Sequence, residues 1–362
     1  MIKTATKDIQ SGSYTATPVY TKTGQMILSA NTLLTSQQIS RLEFYGIEWV
    51  NIQEPSDTAD DAGSAPQQEP PSYSQKVRKS KEFHAFKIDY DKKSRYLESS
   101  FDDLLNENIP MESRALIDQV STLYADRLTS LSVFDMLHNM RQIDDTTFAH
   151  SINVALIVRM MGEWLEFSEE DLDVLTLAGL LHDIGKCTIN PNILLKPSSL
   201  TPKEYEEVKK HAANGAEALS TQDLDKRIME AALNHHERCD GSGYPSGLKG
   251  DEIPDFAKII AIADVYDAMT SNRPYRKGYC PYEVIAAFER EGLEKYDAEY
   301  IITFMTRILD TYMGNNVLLS DGSTGTVIMN NKVHHSRPLL RLATGECIDL
   351  VKHPELYIEA II

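Results

Sequence analysis

Leu177-Ala178-Gly179-Leu180-Leu181-His182-Asp183-Ile184-Gly185-Lys186 reads as an apolar helix that ends on an imidazole and a carboxylate. Ser168 caps its start, and Glu169, Glu170 and Asp171 form an acidic first turn ahead of Leu172, Leu175, Leu177 and Leu180. Neighbouring residues on a helix point about 100° apart. His182 and Asp183 therefore would not ordinarily chelate one ion side by side unless the helix end loosens, but an Asp there can give one oxygen to each of two ions. Downstream come His211, His235-His236, and the loop Glu237-Arg238-Cys239-Asp240-Gly241-Ser242-Gly243-Tyr244-Pro245. The chain has ten histidines, and four of them fall between Leu177 and Pro245. Imidazoles and a carboxylate gathered this densely suit a metal site.

Further outward, helical patterns fit Thr147 to Leu165, Gln222 to His236, Phe256 to Thr270 and Ala298 to Tyr312. Thr201-Pro202-Lys203-Glu204 combines a capping box with Pro at the first helical position. From about Lys81 to Tyr312 the pattern is all-α. Asp264 lies in the apolar setting Ala263-Asp264-Val265-Tyr266-Asp267, and a carboxylate buried there wants a cation.

In this order and spacing, His150, His182-Asp183 and Asp264 resemble the H…HD…D signature of the HD phosphohydrolase superfamily. His211, His235-His236 and Gly243-Tyr244-Pro245 resemble its HD-GYP branch, and Lys186 and Arg273-Pro274-Tyr275-Arg276 extend the match from about Asp144 to Lys277. The resemblance implies a bacterial phosphodiesterase that linearises cyclic di-GMP to pGpG and can continue to GMP. It implies a first metal ion on His150, His182, Asp183 and Asp264, and a second on the shared Asp183 with His211, His235 and His236. Iron or manganese is expected, with a metal-bridging hydroxide as nucleophile. Asp183 and Lys186 would be catalytic, while Lys186, Tyr244, Arg273 and Arg276 would hold substrate. Some members of the branch hold a third ion through a Glu one turn before the first ligand His; Thr146 stands there, so a two-ion site is expected, with pGpG the richer product. Cyclic GMP-AMP or another cyclic dinucleotide is the alternative substrate, and a non-catalytic receptor or scaffold the alternative class. Diguanylate cyclase (GGDEF) domains docking at the GYP loop are an expected partner, and homodimerisation fits the reading.

Composition bounds the remainder. With 42% apolar and 25% charged residues the chain is ordinary for a globular protein, and its formal charge of −18 repels nucleic acid and anionic membranes. Four cysteines, Cys187, Cys239, Cys280 and Cys347, form no CxxC pair, and no apolar signal core opens the sequence, so a cytoplasmic protein is expected. Residues 1–53 read as a small α+β unit with strands around Tyr14 to Tyr20, Met26 to Leu28 and Ile47 to Ile52, a turn at Thr23-Gly24, a helix started by Thr35-Ser36-Gln37-Gln38, and a stop at Gly46. Residues 54–80 read as a flexible linker. Residues 81–312 form the helical catalytic region, its core at about 144–312. Residues 313–362 form a β-appendage with strands at Val317 to Ser320, Thr326 to Met329, Leu339 to Ala343 and Ile348 to Val351. The paired His334-His335, with no acidic partner nearby in sequence, is expected to be loop, and Lys209-Lys210 a solvated face.

Overall fold

The computed structural model describes residues 2–9, 12–20, 26–28, 32–34, 39, 42, 47, 49–53, 77–107, 109–125, 130–140, 147–196, 198–272 and 278–362. The expected turn at Thr23-Gly24, the Thr35-Ser36-Gln37-Gln38 helix start, Gly46, most of the linker, Thr146 with Asp144 and Asp145, and Arg273 and Arg276 all lie outside the described residues. The chain divides into two compact units, one of residues 76–311 and one that combines residues 1–75 with 312–362.

The larger unit is mainly α. Its helices are α1 (Lys81–Glu107), α2 (Ser113–Ala125), α3 (Ser130–Met140), α4 (Thr147–Trp164), α5 (Glu169–Leu181), α6 (Pro191–Leu194), α7 (Pro202–Ser220), α8 (Lys226–Asn234), α9 (Asp255–Thr270), α10 (Pro281–Ala287), α11 (Leu293–Lys295) and α12 (Ala298–Asp310). Two helix starts follow from capping chemistry. Ser168 accepts from Asp171 N at the head of α5, and the Thr201–Glu204 box opens α7. The expected Gln222 to His236 helix is shorter, because Asp225 caps at Arg227 N and starts α8 only at Lys226.

Helices α4, α5 and α9 make the interior. Val154, Leu156, Ile157, Leu181, Ile259, Ile260 and Ile262 are fully buried, so α4 and α9 are apolar nearly all round rather than striped. Small residues set their spacing: a Cβ on Gly179 of α5 would stand 2.7 Å from Val158 Cγ2 and 3.1 Å from Ala155 Cα of α4. The Tyr90 hydroxyl of α1 lies 2.7 Å from both Ala149 O and Asn153 Oδ1, its one proton shared between them, which ties α1 to α4. Among the described residues no helix is long and apolar enough to cross a membrane.

In the other unit, β7 (Asn316–Leu319), β8 (Thr324–Met329), β9 (Leu339–Leu342), β10 (Cys347–Asp349) and β11 (Ile358–Ile361) form an antiparallel sheet of order β10-β9-β8-β7-β11. The turns at Gly322 and Gly345 take φ of +84° and +88°, the left-handed region where glycine is unstrained. The N-terminal strands β1 (Ile2–Ala5), β2 (Ser13–Tyr14), β3 (Val19–Tyr20), β4 (Met26–Leu28), β5 (Leu33–Leu34) and β6 (Trp49–Ile52) pair as β1 with β6, β2 with β5 and β3 with β4. Ile9, Val19, Leu28, Leu34, Leu42 and Val50 form their core.

Candidate metal centre

At the end of α5 the helix loosens. His182 keeps helical angles (φ −54°, ψ −33°), whereas Asp183 moves to φ −105°, ψ 10° and opens a 3₁₀ turn, Ile184–Thr188. That shift turns the imidazole and the carboxylate into one pocket, which a continued helix would have denied them. The 3₁₀ turn lies against α7, where a Cβ on Gly185 would come within 2.0 Å of His211 O. Asn214 Nδ2 donates to Thr188 Oγ1 at 2.7 Å and fastens the same contact.

Donor atoms converge in two groups, His150, His182 and Asp264 in one and Asp183, His211, His235 and His236 in the other, each within 4.8 Å. Asp183 lies between them. Its Oδ2 is 3.3 Å from His182 Nε2 and 3.5 Å from His150 Nε2. Its Oδ1 is 3.4 Å from His211 Nε2 and 3.7 Å from His235 Nε2. His236 Nε2 stands 3.1 Å from His211 Nε2, and His236 Nδ1 3.9 Å from Asp264 Oδ2.

The backbone selects which ring nitrogen faces inward. Nδ1 of His182, His211 and His235 meets the carbonyls of Gly179, Val208 and Ala232 at 2.8, 2.6 and 2.9 Å, so each must carry its proton there and present a bare Nε2 to the pocket. His150 Nδ1 meets Asp267 Oδ2 at 2.8 Å. His150 Nε2, His182 Nε2 and Asp183 Oδ1 are buried without a hydrogen-bond partner. Asp264 Oδ1 lies 3.1 Å from that His150 nitrogen, close enough to draw positive charge to it. Buried polar atoms left this way suit a cation, and imidazole with carboxylate is the donor set of divalent transition metals.

Protonation of the second group agrees with that fit, whereas at His150 an ion would have to displace a proton. Burial pushes His211 down to about 4 and also lowers His235 and His236, leaving neutral imidazoles at pH 7. Burial works against charge on Asp183, yet Lys186, His182 and His235 outweigh it and hold the carboxyl well below the usual carboxylate range. Asp264 is held low against burial by His150. Burial would strip the proton from His150, but Asp264 and Asp267 hold its pKa up at about 9.

Lys186 Nζ rests on Asp183 Oδ2, part exposed. Tyr244 lies over the second group, its ring stacked on His236 at 4.6 Å between centroids and 29° between planes. Its loop is built by side chains that sequence reading left without a role. Glu237, 2% exposed, accepts from Ser246 N at 2.6 Å, Gly247 N at 3.1 Å and Leu248 N at 3.0 Å. Gly243 must be glycine, since a Cβ would meet Arg238 N at 2.4 Å and His236 O at 2.5 Å. Asp267 was likewise missed. It sits one turn after Asp264 on α9, and that spacing was the available signal.

The HD domain family matches residues 135–300, the segment that carries every donor described above. A cyclic di-GMP phosphodiesterase of Pseudomonas aeruginosa is 34% identical over 226 residues, 62% of this chain and 53% of that protein. One of Thermotoga maritima is 37% identical over 201 residues, 54% of each. A 3′3′-cGAMP-specific phosphodiesterase of Vibrio cholerae is 41% identical over 145 residues, 40% of this chain and 34% of that protein. The chain thus spans about half the length of the first two relatives. An HDG"Y"P protein from Bdellovibrio bacteriovorus shares the fold, with a TM-score of 0.51 at 16% identity over 85% of this chain and 99% of that one. Residues 135–300 thus match the HD domain family, and the fold is that of the Bdellovibrio protein.

Proposed function

We propose that this centre is a metal-dependent phosphodiesterase that opens cyclic di-GMP to linear pGpG, with further cleavage to GMP slower. The observation that carries the reading is Asp183, whose two oxygens turn to two separate sets of imidazole nitrogens. His150, His182, Asp183 and Asp264 would hold one divalent ion, and Asp183, His211, His235 and His236 a second, with iron or manganese favoured by the mix of neutral imidazole and carboxylate. Such a pair of ions supplies an activated water and neutralises charge on the phosphoryl oxygens. Lys186 offers a further positive charge to a phosphoryl oxygen, and Tyr244 shapes the mouth through which the substrate enters. Arg273 and Arg276 are proposed clamps for the phosphodiesters.

Asp267 acts on the ion through His150. A carboxylate on the far nitrogen fixes the ring and raises its basicity, and losing such a partner typically costs about 10- to 100-fold in metal affinity. Asp267→Ala should weaken binding at the first ion position by roughly that factor and leave the second near normal. Titration with a competing chelator, followed by metal analysis, checks this; equal weakening of both positions would contradict it.

Base identity is the finer question, because a cGAMP-specific relative is 41% identical over the aligned part. Metal-loaded protein assayed on cyclic di-GMP, cyclic GMP-AMP and cyclic di-AMP should give its highest kcat/KM on cyclic di-GMP. A higher value on cyclic GMP-AMP would replace the substrate and keep the chemistry.

A further inference from the structure

We propose that Lys209 is a substrate-binding residue that holds the phosphodiester of a cyclic dinucleotide not under attack, with Tyr205 and Tyr244 as the walls that keep its ammonium at the mouth of the centre. This assignment rests on the reading of the centre as a cyclic dinucleotide phosphodiesterase.

Helix α7 presents Tyr205 and Lys209 on one face, four residues apart, and His211 two residues further on. Lys209 Nζ lies 5.0 Å from the centroid of Tyr205 and 5.4 Å from that of Tyr244. Tyr244 in turn stacks on His236 and approaches His211 at 6.5 Å. The ammonium is therefore joined to the metal-fitting imidazoles through a single aromatic ring. Two ring faces also attract a cation directly, which fixes the place of its N–H donors.

Those donors are available to a ligand. Glu206 takes one at 2.7 Å, but its side chain is 67% exposed, and an exposed ion pair of this kind is weak and exchanges readily. Tyr205 beside Lys209 is 48% exposed, a large ring left facing solvent at the mouth of a site. A cyclic dinucleotide carries two phosphodiesters, and only one can be cleaved at a time. On a chain of formal charge −18 the other needs a local cation, and an ammonium is a suitable point charge for phosphate. Lys210 provides the contrast, being 58% exposed and paired with Glu207 at 2.6 Å.

The test compares a two-diester and a one-diester substrate on the metal-loaded full chain. Lys209→Met should raise KM for cyclic di-GMP by roughly ten- to a hundredfold with kcat changed little, the loss expected for one charge-assisted bond. It should weaken binding of a non-hydrolysable phosphorothioate analogue by the same factor. Hydrolysis of bis(p-nitrophenyl) phosphate and metal content should stay as in the parent. Lys209→Arg should recover most of the affinity, and Lys210→Met should change nothing. An unchanged KM for cyclic di-GMP, or equal losses on both substrates, would overturn the assignment. A parent protein that cleaves bis(p-nitrophenyl) phosphate but no cyclic dinucleotide would instead overturn the substrate reading, and this assignment with it.

Discussion

Asp183→Ala yields a folded protein that retains neither metal ion and loses turnover by at least about a thousandfold. The fold should survive because the helices around Asp183 are held by apolar packing, with Leu181 and Ile184 on either side of the His182-Asp183 pair fully buried. The carboxylate itself contributes charge rather than packing. It faces His150 and His182 with one oxygen and His211 and His235 with the other, so its loss removes a donor from both positions at once. Asp264 also faces both groups, but its link to the second is a single longer contact, 3.9 Å from Oδ2 to His236 Nδ1. Circular dichroism together with metal analysis of the purified variant checks the claim. Retention of both ions would refute the shared role of Asp183.

Gly185→Ala should be the most damaging change of a single methyl group in the domain. The added Cβ would stand 2.0 Å from His211 O and 2.6 Å from Gly215 N, both backbone atoms of α7, so no side chain can rotate away. Relief requires the 3₁₀ turn and α7 to separate, which pulls Asp183 from His211, now 3.4 Å apart. Overpacking of this kind typically costs about 1–3 kcal/mol or more. For a unit of this size that corresponds to a fall in Tm of roughly 2–4 °C per kcal/mol. Metal retention at the His211 position should fall with it. Gly215→Ala is the graded control, because its Cβ would meet Gly185 N at 3.2 Å, a contact that a shift of a few tenths of an ångström relieves. Equal thermal stability of Gly185→Ala and the parent protein would show that the α7 contact is not rigid.

Both expectations depend on features of unequal visibility in the sequence. The order His150, His182-Asp183, His211, His235-His236, Asp264 was legible because each residue carries the chemistry itself, and caps such as Ser168 and Thr201 announce helices locally. Asp267 was not legible as a partner of His150. The two are 117 residues apart and meet only because α4 packs on α9. Glu237 was visible but mute, since its three bonds go to backbone N–H groups that no sequence pattern displays. Lys209 looked like half of a solvated pair with Lys210. Only the packing of the GYP loop over α7 separates them, by bringing Tyr244 to one and not the other. Strand β1 was missed for a related reason, as its antiparallel partner β6 begins at Trp49, far along the chain.

The most direct test of the account is product analysis by chromatography after protein loaded with iron(II) or manganese(II) without oxygen is mixed with cyclic di-GMP. The account predicts conversion to linear pGpG, with GMP accumulating more slowly, by protein carrying two ions per chain. Intact cyclic di-GMP after prolonged incubation, with both ions confirmed in place, would contradict it.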